Sequence, residues 1–358
     1  MGSAGNGVPP SGGGPARWSR RGLLRAGAVL ALSVPLGAAA CTTQRTPPPP
    51  DPLQPMLDSA TGDAATAKAA AAAFPGNAAT LGVIASVRAQ QAAALRTEVN
   101  RAAAVTATTT PTATSAVPKP ASEGAVTSQL MRDMAAAQRQ AAALLPKLPR
   151  YRAGLVGSVA AGCASLTEAL DNTPITASTA TSKATTIDPE AESANGSSSA
   201  ATQTTAPDAA GPPLAGDTAD ALQQALSTAH AALWMYGTAS AFVTGTASGE
   251  IIAAMDSVRI LRDATEQSLT AGGVTPQLAQ AAYLTPTPVT NQASALTALG
   301  MAESDGTVAW RGVLERTDDA DVRADALAAL VDCAVRQTRW RRLSGQSPAS
   351  VPMPGKSA

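Results

Sequence analysis

Apolar residues recur at three- and four-residue intervals through most of the chain beyond residue 50, the spacing that lines one face of an α-helix. Leu81, Ile84, Leu95 and Val99 form one stripe, with Arg88 inside it. Val126, Leu130, Met134, Ala141 and Leu144 form a second, and Leu155, Val159, Cys163, Leu166 and Leu170 a third. These stripes predict a helical block over residues 51–170. Four more follow over residues 216–344: Leu222, Leu226, Ala229, Leu233 and Tyr236; Ile251, Met255, Val258 and Leu261; Leu296, Leu299, Glu303, Trp310 and Leu314; and Val322, Ala326, Leu330, Cys333 and Trp340. Gly272-Gly273 and Pro276 end the second of these helices. Thr290 or Asn291 can cap the third, and Asp318 or Asp319 the fourth. The first and third connections are short, while the middle one carries Tyr283, Pro286 and Pro288. The pattern predicts an all-α chain: an up-down four-helix bundle in the C-terminal half, preceded by a second helical block.

Composition supports that class. Alanine is abundant, aromatics make up only 3% of residues and charged residues 15%. Alanine loses no side-chain entropy on entering a helix. Lys plus Arg and Asp plus Glu both number 26, so the charge balance implies no nucleic-acid partner. Between the stripes lie segments too poor in apolar residues to fold: a Thr/Pro/Ala insert at 104–124, a Ser/Thr-rich linker at 171–215 and a tail at 345–358, all expected to be disordered or solvated. The linker reads as a flexible connector or an O-glycosylated stalk.

The first 41 residues read as an export signal. Ser19-Arg20-Arg21-Gly22-Leu23-Leu24 matches a twin-arginine pattern, Ala26 to Ala40 is apolar, and Ala38-Ala39-Ala40 leads directly to Cys41. Cys41 is the candidate lipidation site, and a Pro-rich tether at 42–50 would hold the folded part off a membrane. Ala38 stands where leucine is usual in lipoprotein signals, so cleavage without lipid is the alternative. The expected location is the extracytoplasmic face of the cell membrane, lipid-anchored, or else secreted. In an oxidising compartment, Cys163 and Cys333 are either a possible disulfide or two buried thiols.

Leu222 to Gly237 (LQQALSTAHAALWMYG), Arg259 to Asp263 (RILRD) and Ala281 to Ala293 (AAYLTPTPVTNQA) carry a family resemblance, continued by Met301 to Leu314 (MAESDGTVAWRGVL) and Asp332 to Arg341 (DCAVRQTRWR). Over about 125 residues this region resembles the actinobacterial domain of unknown function DUF4439, placed among ferritin-like bundles. Tyr151 to Leu166 resembles the region that precedes this domain in envelope lipoproteins. The resemblance implies a fold and an address, and it invites a metal test. A di-iron carboxylate site uses Glu-x-x-His pairs, whose members project into one core. This chain has one histidine, His230, preceded at three residues by Ser227 and immediately by Ala229, where relatives tend to place a glutamate. His230, Asp263, Glu266 and Glu303 could together hold one ion weakly; otherwise Glu303 pairs with Arg259 or Arg262 inside the bundle. No P-loop, Rossmann fingerprint, Cys-x-x-Cys pair or Gly-x-Ser-x-Gly elbow occurs. The expectation is a non-catalytic binding or scaffolding role with no cofactor, directed at an envelope protein or small ligand. The alternative is a degenerate metal-binding bundle, an ion store or weak oxidase.

Overall fold

In the computed structural model, residues 50–106, 122–170, 213–285, 287–346 and 350–356 are described. The export signal, Cys41, the tether before Pro50 and most of the insert and linker lie outside them. The described residues contain eight α-helices. In the first block these are α1 (Gln54–Ala73), α2 (Ala78–Thr106), α3 (Glu123–Leu144) and α4 (Arg150–Leu170); in the second, α5 (Gly216–Ser240), α6 (Thr246–Ala271), α7 (Gln292–Leu314) and α8 (Ala320–Leu343). Helix α2 continues to Thr106, and α3 begins at Glu123 behind the Ser122 cap, so both ends of the expected insert are helical.

The caps satisfy amide groups that a helix start leaves without partners. Asn291 accepts from the Ser294 amide, and the Ser294 hydroxyl returns to the Asn291 backbone, closing a capping box at α7. Asp319 accepts from the amides of Asp321 and Val322 at α8. Asp319→Ala is expected to cost about 1 kcal/mol, read as a lower denaturant midpoint at unchanged slope.

The second block is two helical hairpins joined by a long crossover. Gln223, near the start of α5, bonds Thr275 and Gln277 just beyond α6, so α5 and α6 run antiparallel. Gly306 lies beside Cys333 and Gly300 beside Trp340, which makes α7 and α8 antiparallel as well. Residues 272–291 carry the chain back along the bundle, and α7 packs against α5, with α6 touching α8 only lightly. A single long crossover is the connectivity of ferritin-like bundles.

Helix α4 joins the two blocks into one core. Fourteen of its 21 residues are buried, and it packs against α2, α3, α7 and α8. Its glycines make this possible: a Cβ at Gly157 would strike the Leu314 side chain, and one at Gly154 the Glu315 side chain. Helix α4 is also long and apolar enough to cross a membrane, but it is sheathed by other helices, as a core helix of a folded domain is. Arg323 of α8 donates to the carbonyls of Leu145 (2.8 Å) and Leu148 (2.7 Å), tying the second block to the turn before α4.

The expectation of a disordered tail at 345–358 is corrected for residues 350–356. Ser158 of α4 donates to the Pro354 carbonyl at 2.7 Å, and Gln91 of α2 to that of Pro352 at 3.0 Å. Ser350 is buried, and Gly355, at φ +78°, lies against the Thr307 carbonyl. The segment docks because the small-residue surface of α4 lets backbone approach closely. A Cβ on Gly162 would fall on the Pro352 carbonyl. Gly162→Ala is therefore expected to destabilise by about 1–3 kcal/mol. In a chain ending at residue 346 the same change should cost less, because only the end of the Gln91 side chain would then have to move and alanine is the better helix former.

Candidate functional site

Helices α5, α7 and α8 meet around a buried polar cluster. Glu303 of α7 is 2% exposed. Its Oε1 accepts from the Tyr236 hydroxyl of α5 and from Arg336 Nε of α8 at 2.8 Å. The indole N–H of Trp340 donates to the Tyr236 oxygen at 2.9 Å, and the two rings meet edge to face with centroids 6.0 Å apart. Arg336 also reaches the Cys333 sulfur at 3.4 Å. Burial, reinforced by the Glu303 charge, pushes the Tyr236 phenol well above its ordinary range, so the phenol stays protonated and donates. The same two causes raise the Cys333 thiol. The result is a closed network with the carboxylate paired and hydrogen-bonded.

Sequence reasoning placed Glu303 inward but assigned it the wrong partner. Arg259 instead pairs with Asp256 and Arg262 with Asp263, each at 2.6 Å near the surface. The guanidinium that reaches Glu303 belongs to Arg336, on the Cys333–Trp340 stripe at helical spacing. A charged residue inside an apolar stripe was the available signal.

The four proposed metal ligands do not converge. His230 Nε2 lies 3.3 Å from the Gln277 carbonyl and 3.8 Å from Glu266 Oε1, so those two side chains are neighbours. Asp263 is turned to Arg262, and Glu303 is held by Arg336 and Tyr236. Among the described residues no three His, Cys, Asp or Glu side chains group as ligands would. One imidazole and a carboxylate already engaged by a guanidinium do not fit a di-metal carboxylate centre.

A second buried cluster lies in the first block. Arg88 of α2, wholly enclosed, donates to Asp63 of α1 at 2.6 and 3.0 Å, to Gln91 at 2.7 Å and to the Cys163 sulfur of α4 at 3.1 Å. The possible Cys163–Cys333 disulfide is not formed: both thiols are free and buried, each in its own cluster. Burial pushes the Cys163 thiol up to about 11, and both sulfurs are shielded by packed helices. In a Cys41→Ser chain, iodoacetamide at pH 8 is expected to label neither Cys163 nor Cys333 in the native state. Both should be labelled in denaturant without reductant, whereas a disulfide would leave both unlabelled.

A groove lies between α5, α7 and the crossover, with a volume of about 160 Å³. Ala232 and Met235 of α5 form its buried floor. Trp234 and Tyr283 stand on its wall with ring centroids 6.1 Å apart. Leu284, Met301 and Asp305 lie at the rim, and Leu284 is 99% exposed. Nothing in the apolar pattern pointed to this groove, because it is made by the crossover folding back over α5 and α7.

The chain is similar to a solved structure and to a domain family. The structure is a conserved hypothetical protein from Mycobacterium tuberculosis, 36% identical over 36% of this chain and 99% of that one, with a TM-score of 0.35. No curated protein matches. Residues 221–358, from the second turn of α5 onward, match the family described as a domain of unknown function, and this part of the chain is a DUF4439 domain.

Proposed function

We propose that the chain is an exported cell-envelope protein with a non-catalytic binding or scaffolding role. In this reading Arg20 and Arg21 direct export, Cys41 carries the lipid anchor, and the folded part acts outside the membrane. The observation that carries the non-catalytic reading is the state of Glu303. The inward carboxylate of the bundle is neutralised by Arg336 and hydrogen-bonded by Tyr236, so it serves the core. The groove beside Trp234 and Tyr283 is the binding surface this leaves open.

The competing reading, a degenerate metal-binding bundle, draws on the His230–Glu266 approach of 3.8 Å. Elemental analysis after exposure to iron, manganese and zinc separates the two. Sub-stoichiometric metal in both the parent and a His230→Ala variant supports binding or scaffolding. A stoichiometric ion lost with His230 makes the protein a metalloprotein. The address is tested separately by cell fractionation: membrane association should be lost in Cys41→Ser, and export in an Arg20→Lys, Arg21→Lys chain.

A further inference from the structure

The groove is apolar at its base, aromatic on one wall and acidic at its rim. Asp305 supplies the acid. It lies one helical turn beyond Met301 on α7, which places both side chains on the same helix face, and both line the cavity. Asp305 makes no hydrogen bond or ion pair with any described residue, and no lysine or arginine lines the groove. Several other acids of this bundle are paired, Asp256 with Arg259, Asp263 with Arg262 and Glu315 with Arg311, while Asp325 and Asp332, which also make no ion pair, do not line this groove. Asp305 is therefore an acid without a counter-charge, set beside two ring systems and a void.

We propose that this groove binds a small organic ammonium ion, its cationic head against Asp305 and the faces of Trp234 and Tyr283. The ring quadrupole attracts a cation placed over it, Trp most strongly, and a weakly hydrated alkylammonium loses little on leaving water. Aromatic rings combined with a carboxylate select such a cation over a neutral molecule of the same shape. The space of about 160 Å³ suits a head of the size of trimethylammonium with a short substituent. Partial burial raises the Asp305 carboxyl above its ordinary range, with no neighbouring positive charge to oppose it; a bound cation would reverse that. The inference rests on the binding role proposed above and names its ligand class.

Choline and its uncharged isostere 3,3-dimethyl-1-butanol are the probes, titrated against the full chain carrying Cys41→Ser, with binding read by calorimetry and by tryptophan fluorescence from Trp234. Choline is expected to bind at least about fivefold more tightly than the isostere. Asp305→Asn and Tyr283→Leu should each weaken choline by about tenfold, with Asp305→Asn leaving the isostere unchanged. Asp305 is exposed and Tyr283 half-buried, and unchanged thermal midpoints would confirm that the fold is intact. Equal affinity for choline and the isostere, or an Asp305→Asn chain that binds choline as the parent does, overturns the ammonium assignment while leaving a neutral-ligand groove. If neither probe binds at 20-fold above the concentration expected for a weak site, roughly 20 mM, the ammonium assignment falls as well. The broader binding role would then stand or fall on the metal and fractionation outcomes above.

Discussion

Arg336→Met is expected to destabilise the protein by about 3–5 kcal/mol, because it leaves the Glu303 carboxylate buried without its counter-charge. Glu303 and Arg336 have side-chain exposures of 2% and 7%, so water cannot replace the lost guanidinium. Tyr236 would still donate, but one neutral hydrogen bond does not offset an unpaired charge in a packed core. For a domain of this size the change corresponds to a fall in Tm of roughly 10 °C. The paired substitution Glu303→Gln, Arg336→Met discriminates between charge and packing. Glutamine keeps an acceptor for Tyr236 and carries no charge, so the double variant should recover more than half of the loss. A double variant as unstable as Arg336→Met alone would show that the guanidinium acts through packing and not by compensating Glu303.

Arg88→Met should have the second largest effect, a loss of about 3 kcal/mol. Arg88 is fully buried, and its removal uncouples four groups at once: Asp63 on α1, Ser59 on α1, Gln91 on α2 and Cys163 on α4. The cost is held below that of Arg336 because Asp63 keeps some access to water, at 10% side-chain exposure. The consequence reaches beyond stability. Gln91 is positioned by Arg88 and in turn donates to the Pro352 carbonyl. Loosening Gln91 should therefore free the C-terminal segment, seen as faster proteolysis after residue 346 under native conditions. Cys163 should also become alkylated faster than Cys333, since only its cluster has been opened. Equal labelling of the two thiols would mean that Arg88 holds the whole fold together without a local role in seating the tail.

The two clusters show how far a one-dimensional pattern reaches. Arg88 falls on the α2 stripe and Glu303 on the α7 stripe, so both are marked in the sequence as polar residues facing inward. Their partners are not marked. For Glu303 the pattern offered Arg259 and Arg262 of α6, while α8 carries five arginines of the same charge, Arg336 among them. The choice depends on the crossover at 272–291, which lays α7 against α5 and α8 and keeps it from packing on α6. The docked segment at 350–356 was missed for a related reason. Its Pro, Ser and Gly composition signals no element of its own, and its stability comes from donors on α2 and α4 more than 190 positions away.

By itself the sequence determined the helical class, the apolar stripes of seven of the eight described helices (α1 carried none), cap candidates for α7 and α8, the inward setting of Glu303, and the lack of a full Glu-x-x-His ligand set. All of these follow from local periodicity, capping chemistry and residue inventory, which act over a few residues. Tertiary structure alone decided that α4 is the shared core of both blocks, that Arg336 neutralises Glu303, that Cys163 and Cys333 stay apart as free thiols, and that an aromatic groove with an unpaired Asp305 opens beside the crossover. Each of these depends on which helices lie side by side, and that is set by burial summed over the whole chain, where many pairings satisfy the same local pattern.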